Sequence, residues 1–235
     1  GAGRAVRVAA DTPGAVIQVS CGQLARSLRG VIVDPATGAE LPDGHVGEIW
    51  LHGNNIGRGY WGMPEQTRAT FAAILRSRLD RGSHADGVAD SAHWLRTSDL
   101  GVYLDGELYV TGRIADLVII DGRQHYPQHI EATAAAASPT VRDGYVVAFT
   151  APGNELPDAT AGDAGERLVI VAERARGVGR ADPQPAIEAI SAAITRTHRL
   201  NVADVRLVQA GAIPRTTSGK LARRACRADY LGGVL

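Results

Sequence analysis

The chain is short of cysteine, carrying only Cys21 and Cys226 in 235 residues. Two thiols far apart in sequence, at no metal-ligand spacing, exclude a disulfide scaffold and a cysteine zinc site and point to a reducing compartment. Net charge is also missing, because 25 basic and 25 acidic side chains cancel. That removes the electrostatic case for nucleic acid or an anionic membrane surface. A local exception is Lys220-Leu221-Ala222-Arg223-Arg224, which reads either as a phosphate-facing patch or as the solvated face of a terminal helix. No apolar run reaches the roughly 18 residues of a membrane span, and no secretory signal is visible, so no membrane span and a cytoplasmic location are expected. The start at Gly1-Ala2-Gly3, without methionine, reads as a piece cut from something longer.

Other chemistry is excluded by pattern. The seven histidines form no mixed Cys/His arrangement, and their one H-x-x-x-H spacing, His125–His129, is interrupted by Pro127, so no metal site is expected. No G-x-S-x-G nucleophile elbow occurs. Gly219-Lys220 resembles the end of a P-loop, yet Pro214 stands at its first glycine and Leu221 where a magnesium-holding hydroxyl is required.

What is present is 45% apolar and 21% charged, the composition of a folded globular protein. Residues 28–62 alternate strands and turns: Val31-Ile32-Val33 runs into Asp34-Pro35-Ala36-Thr37-Gly38, and Gly47–Gly53 reads as a strand bounded by glycines. A helix is predicted over 64–76, opened by Pro64, with Thr67, Phe71, Ile74 and Leu75 at helical spacing. A polar loop follows over 77–92, then strands 101–104 and 107–111 joined by Asp105-Gly106, a favoured hairpin dipeptide. A strand at Leu117–Ile120 runs into Asp121-Gly122.

Beyond Arg113 the texture changes to alternating helix and strand. Helices are predicted over 127–137, 185–198 and 220–230. Strands are predicted over 145–150, 168–172 and 205–208, with a polar stretch over 152–166. The fold class is therefore α+β, with a boundary near Gly112-Arg113.

Three segments can carry chemistry. Pro214-Arg215-Thr216-Thr217-Ser218-Gly219-Lys220 has the composition of a flexible loop whose lysine, hydroxyls and backbone N–H groups can meet an anion; taken alone, Lys220 reads first as a solvated surface lysine. Asp99, in Arg96-Thr97-Ser98-Asp99-Leu100-Gly101, precedes a hairpin and can accept the hydroxyls of a ribose, or simply cap a turn. Arg113, after Gly112, can bind a nucleotide or pair with a carboxylate.

Gly47-Glu48-Ile49-Trp50 with Gly57-Arg58-Gly59-Tyr60, then Arg96–Leu100, then Gly112-Arg113-x-x-Asp116, then Pro214–Lys220 resemble, in order, core motifs of the adenylate-forming superfamily. Gly122-Arg123-Gln124-His125-Tyr126-Pro127, followed by Ile130-Glu131-Ala132-Thr133, is similar to the fatty acyl-AMP ligases. The tail through Arg223-Arg224-Ala225-Cys226 is similar to members serving mycolic-acid synthesis.

The resemblance implies that residues 1–112 are the last, β-rich, distorted barrel-like part of a large N-terminal domain. Residues 113–235 would then be a mobile α+β C-terminal domain. It implies activation of a long-chain fatty acid with ATP and Mg2+ to acyl-AMP, releasing pyrophosphate, and transfer of the acyl group to the phosphopantetheine of a carrier domain on a polyketide synthase.

By position, Lys220 would contact the reacting carboxylate and α-phosphate, Asp99 the ribose hydroxyls, and Arg113 ribose or phosphate. Ala115 and Asp116 would form the hinge, and Gly122 the acceptor-side loop. Ser98 stands where the family has glycine, Ala115 where many relatives carry a charge, and His129 where an acidic residue is expected. The family's pyrophosphate loop and its upstream Tyr-Gly-x-x-Glu-type segment have no counterpart among these residues, so magnesium ligands are not expected here and the piece alone is expected to be inactive. An acyl-CoA synthetase, and a carrier-docking module without catalysis, are the alternatives.

Overall fold

The computed structural model describes residues 3–12, 15–156, 165–179 and 181–235. The Gly1-Ala2 opening and most of the polar stretch over 152–166 lie outside them. The chain divides into two compact units, Gly1–Ala115 and Asp116–Leu235.

The first unit is built on four antiparallel strands in sequential order: β1 Leu28–Val33, β2 Gly47–Gly53, β3 Leu95–Leu104 and β4 Glu107–Arg113. The sheet is open, since β1 and β4 do not pair. Successive side chains of a strand point to opposite faces, and both faces of β1 are covered. Val31 and Val33 pack with Trp50, Leu75, Ala85 and Trp94 on one face, while Ile32 packs with Ile49, Tyr103 and Leu108 on the other. Asp105 and Gly106 both take positive φ in the β3–β4 turn, at 52° and 78°, as a right-twisted two-residue hairpin requires.

The helix α1 spans Pro64–Phe71, shorter than the predicted 64–76. Its apparent continuation fails because Ala73 exchanges backbone hydrogen bonds with Trp94, 3.1 and 2.8 Å, and Leu75 then turns into the core beside Trp94. The loop over 77–92 is organised by the buried carboxylate of Glu40, which accepts from the Leu79 N–H (3.2 Å), the Ser83 hydroxyl (2.6 Å) and the His84 N–H (2.8 Å).

The second unit opens with a small hairpin, β5 Val118–Ile120 and β6 Arg123–His125, followed by α2 Pro127–Ala136. Then come β7 Val141–Pro152, β8 Glu166–Arg174, α3 Gln184–His198, β9 Val202–Val208 and α4 Arg223–Leu231. The sheet order is β7-β8-β9, antiparallel then parallel, with α3 as the crossover that a parallel pair needs.

Both faces of this sheet are covered, which explains the unbroken apolar run Leu168–Ala172. Val146, Ala148, Leu168, Ile170 and Ala172 meet Ile130 and Ala134 of α2 and Ile190 and Ile194 of α3. Val147, Phe149, Val169 and Val171 meet Cys226 and Tyr230 of α4. The final helix starts at Arg223 rather than at the predicted Lys220, because the preceding residues are committed to a closed loop: Arg215 bridges Leu221, and the Ala222 N–H reaches the Pro214 carbonyl at 2.9 Å.

Candidate functional site

Asp99 and Arg113, fourteen residues apart in sequence, are direct cross-strand partners in the β3–β4 ladder. Arg113 Nε donates to Asp99 Oδ1 at 2.7 Å. The Asp99 side chain keeps 34% of its surface and Arg113 64%, so both can still meet a ligand.

The segment leading to Asp99 hangs on Glu48 of β2, whose carboxylate is wholly buried. Arg96 donates to it from Nε (3.1 Å) and Nη2 (2.8 Å), and the Ser98 N–H donates to Oε1 at 3.1 Å. The Thr97 hydroxyl donates to the Ile49 carbonyl at 2.7 Å and accepts from the Asp99 N–H at 3.0 Å. These bonds hold Ser98 at φ +60°, a left-handed conformation that glycine adopts without cost. Ser98 is thus in a glycine-like conformation. Close packing fixes one neighbour: a Cβ on Gly101 would lie 2.7 Å from Ile49 Cδ1 and 2.8 Å from the Tyr109 carbonyl oxygen.

Ala115 and Asp116 fall in a single 3-10 turn, Ile114–Asp116, where the two compact units meet in sequence. Ala115 carries no charge, and the acidic group there is Asp116. Its Oδ2 takes Arg223 Nη1 at 3.3 Å, while Arg223 forks onto Glu131 with two bonds of 2.7 Å. Glu131 also accepts the Ala148 N–H at 3.1 Å. The hydrogen bond that Arg223 donates to Glu131 is the largest influence on the Arg223 pKa, which rises above its ordinary value although burial opposes the rise. Gly122 stands exposed at the β5–β6 turn with φ +72° and open space around it.

Lys220 closes a compact loop. The Thr216 N–H donates to the Lys220 carbonyl (2.8 Å), the Gly219 N–H to the Thr216 carbonyl (2.8 Å), and the Lys220 N–H to the Thr216 hydroxyl (3.1 Å). Thr216 and Ser218 share a hydroxyl contact at 3.0 Å. The loop is therefore ordered by its own hydroxyls, while the exposed Lys220 ammonium makes no hydrogen bond or ion pair among the described residues. That leaves a point charge on a long stem beside hydroxyl donors, which suits an anion.

Within each unit, then, the fold joins Asp99 to Arg113 and Asp116 to Arg223, and leaves the Lys220 ammonium unengaged. Sequence reasoning missed Glu48, Arg96 and Arg223 as the groups that hold these residues. The available signal was a carboxylate, Glu48, set directly before the apolar run Ile49-Trp50-Leu51 in a strand pattern. It also missed a histidine pairing: His198 Nε2 lies 2.8 Å from the Thr133 hydroxyl, which donates to the His129 carbonyl. Burial first, and then the charge of His198, lowers the His129 pKa; burial lowers that of His198 against an opposing hydrogen bond to the His129 backbone. Among the described residues no group of three or more His, Cys, Asp or Glu side chains is placed to hold a metal ion, and no helix is long and apolar enough to cross a membrane.

Comparison with known proteins gives consistent likenesses. The sequence model of the AMP-binding enzyme family matches residues 5–61. The chain is 54% identical, over 99% of its length, to the long-chain-fatty-acid–AMP ligase FadD32 of Mycolicibacterium smegmatis, and covers 39% of that protein. It is 44% identical, over 85% of its length, to the 4-hydroxyphenylalkanoate adenylyltransferase of Mycobacterium tuberculosis, covering 30% of it. Among solved structures, one from work on fatty acyl-adenylate ligases of E. coli and L. pneumophila superposes with a TM-score of 0.72 at 29% identity, covering 99% of this chain and 36% of that one. An ATP-bound RpMatB–BxBclM chimera superposes at 0.67 with 26% identity, over 90% of this chain and 36% of the chimera. The chain thus spans about two fifths of the length of the FadD32 relative. The motif resemblance to the adenylate-forming ligases is matched by identity along nearly all of the chain.

Proposed function

We propose that this chain, an adenylate-forming sequence of the fatty acyl-AMP ligase kind, belongs to a protein that activates a long-chain fatty acid with ATP. A carboxylate oxygen of the acid attacks the α-phosphorus, the bond from that phosphorus to the bridging oxygen breaks, and pyrophosphate leaves with the electron pair. The thiol of a carrier domain's phosphopantetheine then attacks the acyl carbon, AMP leaves, and the thiol proton passes to solvent. The observation that carries the reading is the 54% identity over 99% of the chain to a ligase of that specificity.

The geometry supports roles for named residues. Asp99, a carboxylate partly open to solvent and held by Arg113, accepts ribose hydroxyls, and Arg113 faces ribose or phosphate. Lys220 presents its ammonium where negative charge builds between the attacking oxygen and the leaving pyrophosphate, the place where a fixed positive group lowers a barrier most. Ala115 and Asp116 serve as the hinge, Gly122 as the acceptor-side turn. Magnesium arrives with the triphosphate; the described residues offer no ligand cluster for it.

The test uses the full-length protein carrying this sequence, wild type and Lys220→Ala, with ATP, magnesium, a long-chain fatty acid and coenzyme A, the products being read by mass spectrometry. Acyl-AMP from the wild type, little from the variant and no acyl-CoA is the expected result. Abundant acyl-CoA overturns the ligase reading in favour of a synthetase, and an unaffected variant removes Lys220 from the chemistry.

A further inference from the structure

Outside the residues so far assigned, one side-chain group in the second unit touches the Lys220 loop. The Arg142 guanidinium carbon lies 3.4 Å from the centroid of the Tyr145 ring, and that of Arg215 lies 4.3 Å from the same centroid. At these distances two guanidinium groups do not fit on one face of a six-membered ring, so the ring is clamped between them. Tyr145 belongs to β7, whereas Arg215 is the second residue of the Pro214–Lys220 loop and bridges Leu221 at the loop's far side.

The clamp is tied to the core. Arg142 Nη1 donates to Glu173 Oε2 at 2.7 Å, and Glu173, wholly buried in β8, accepts the Ile213 N–H on its other oxygen at 3.3 Å. Ile213 is itself buried and is the residue before Pro214. The entry to the loop is therefore held twice, at Ile213 by Glu173 and at Arg215 by Tyr145, with Arg142 touching both anchors. An arginine bonded to a buried carboxylate has its plane oriented, so the tyrosine meets a pre-set surface rather than a mobile one.

We infer that the Arg142–Tyr145–Arg215 stack, backed by Glu173, is a positioning element that keeps the Pro214–Lys220 loop in the shape that presents the Lys220 ammonium. This rests on the proposed role of Lys220 and adds the residues that set its aim. No contact with substrate is assigned to Tyr145, which acts through Arg215.

The test compares Tyr145→Leu, which removes the π face, with Tyr145→Phe, which keeps it, and with Arg215→Gln, an exposed change that threatens no core packing. All are made in the full-length protein beside wild type and Lys220→Ala. The first readout needs no activity: trypsin cleavage after Lys220 under native conditions. Cation–π contacts of ordinary strength predict cleavage about tenfold faster in Tyr145→Leu and Arg215→Gln, and a wild-type rate in Tyr145→Phe.

The second readout is pyrophosphate release. Turnover is expected to fall about tenfold in the same two variants with the ATP KM unchanged, since the lysine acts on the transition state and not on ground-state binding. Wild-type cleavage in Tyr145→Leu and Arg215→Gln overturns the inference. So does wild-type turnover in those variants while Lys220→Ala is impaired. If Lys220→Ala itself turns over normally, the role given to Lys220 falls, and the cleavage rates alone then decide whether the stack holds the loop.

Discussion

The sharpest structural prediction concerns Glu48→Gln. The native carboxylate has no solvent exposure and accepts two bonds from Arg96 and one from the Ser98 N–H. Glutamine keeps the volume but has one acceptor oxygen, so its NH2 must face either Arg96 or the Ser98 N–H, donor against donor. Breaking a fully buried pair costs about 3–5 kcal/mol. Arg96 retains 39% of its side-chain surface, so water can recover part of its solvation, and about 2–3 kcal/mol is the expected loss.

The three tryptophans of this sequence, Trp50, Trp61 and Trp94, lie in the first unit and none in the second, so tryptophan fluorescence of the 235-residue chain during urea unfolding follows the first unit. With a urea slope of about 1–3 kcal/mol/M, the midpoint should fall by about 0.7 M or more. A midpoint within about 0.2 M of wild type would refute the assignment of Glu48 as the anchor of the Asp99 segment. The companion Arg96→Met should couple to it by about 1 kcal/mol or more in a double-mutant cycle.

Other outcomes follow from the second unit and the two thiols. Cys21 is exposed and Cys226 buried, with burial as the main cause pushing the Cys226 thiol up to about 12; a maleimide reagent at pH 8 should label Cys21 alone until the protein is unfolded, and equal labelling rates would contradict the packing of α4. Arg223→Met leaves the largely covered Glu131 with only the Ala148 N–H as partner, and should cost about 2–4 kcal/mol in the second unit, read by circular dichroism at increasing urea. His129 and His198 have folded pKa values lowered mainly by burial, so the unfolded chain binds protons first. Their contribution to stability is then complete above an ordinary histidine pKa of about 6.5 and is lost as pH falls below it towards the folded values. His198→Gln should flatten that slope in thermal melts between pH 7 and 5, and an unchanged slope would exclude the pairing.

Much of the secondary structure was legible because its signals are local. Asp105-Gly106 and Asp121-Gly122 mark turns by the positive φ they tolerate, and both dipeptides adopt it. Ile187, Ile190, Ala193 and Ile194 mark one face of α3 by spacing alone, and Pro64 and Pro127 each stand at the first turn of a helix. Two helix ends differ from the expectation, one beside a long-range pairing and one at a loop closed on itself, while β6 and the first half of β3 carried no strand signal. Leu75 has helical spacing from Phe71 but is drawn into the core beside Trp94, and Lys220 continues a helical pattern yet is tied back to Thr216.

The candidate site divides in the same way. Residue chemistry singled out Asp99, Arg113 and Lys220, and the resemblance of the ordered motifs added Asp116, since motif order survives in a linear string. Which of them touch, and what holds them, required the fold. Asp99 meets Arg113 only because the β3–β4 register, shifted between Leu100 and Gly101, sets them opposite each other. Glu48 reaches Ser98 across 50 positions, and Arg223 reaches Glu131 across 92. Turns and helix faces depend on neighbours within a few residues, whose identities the chain itself states. Buried ion pairs depend on strand register and helix docking, which are set by the packing of whole faces.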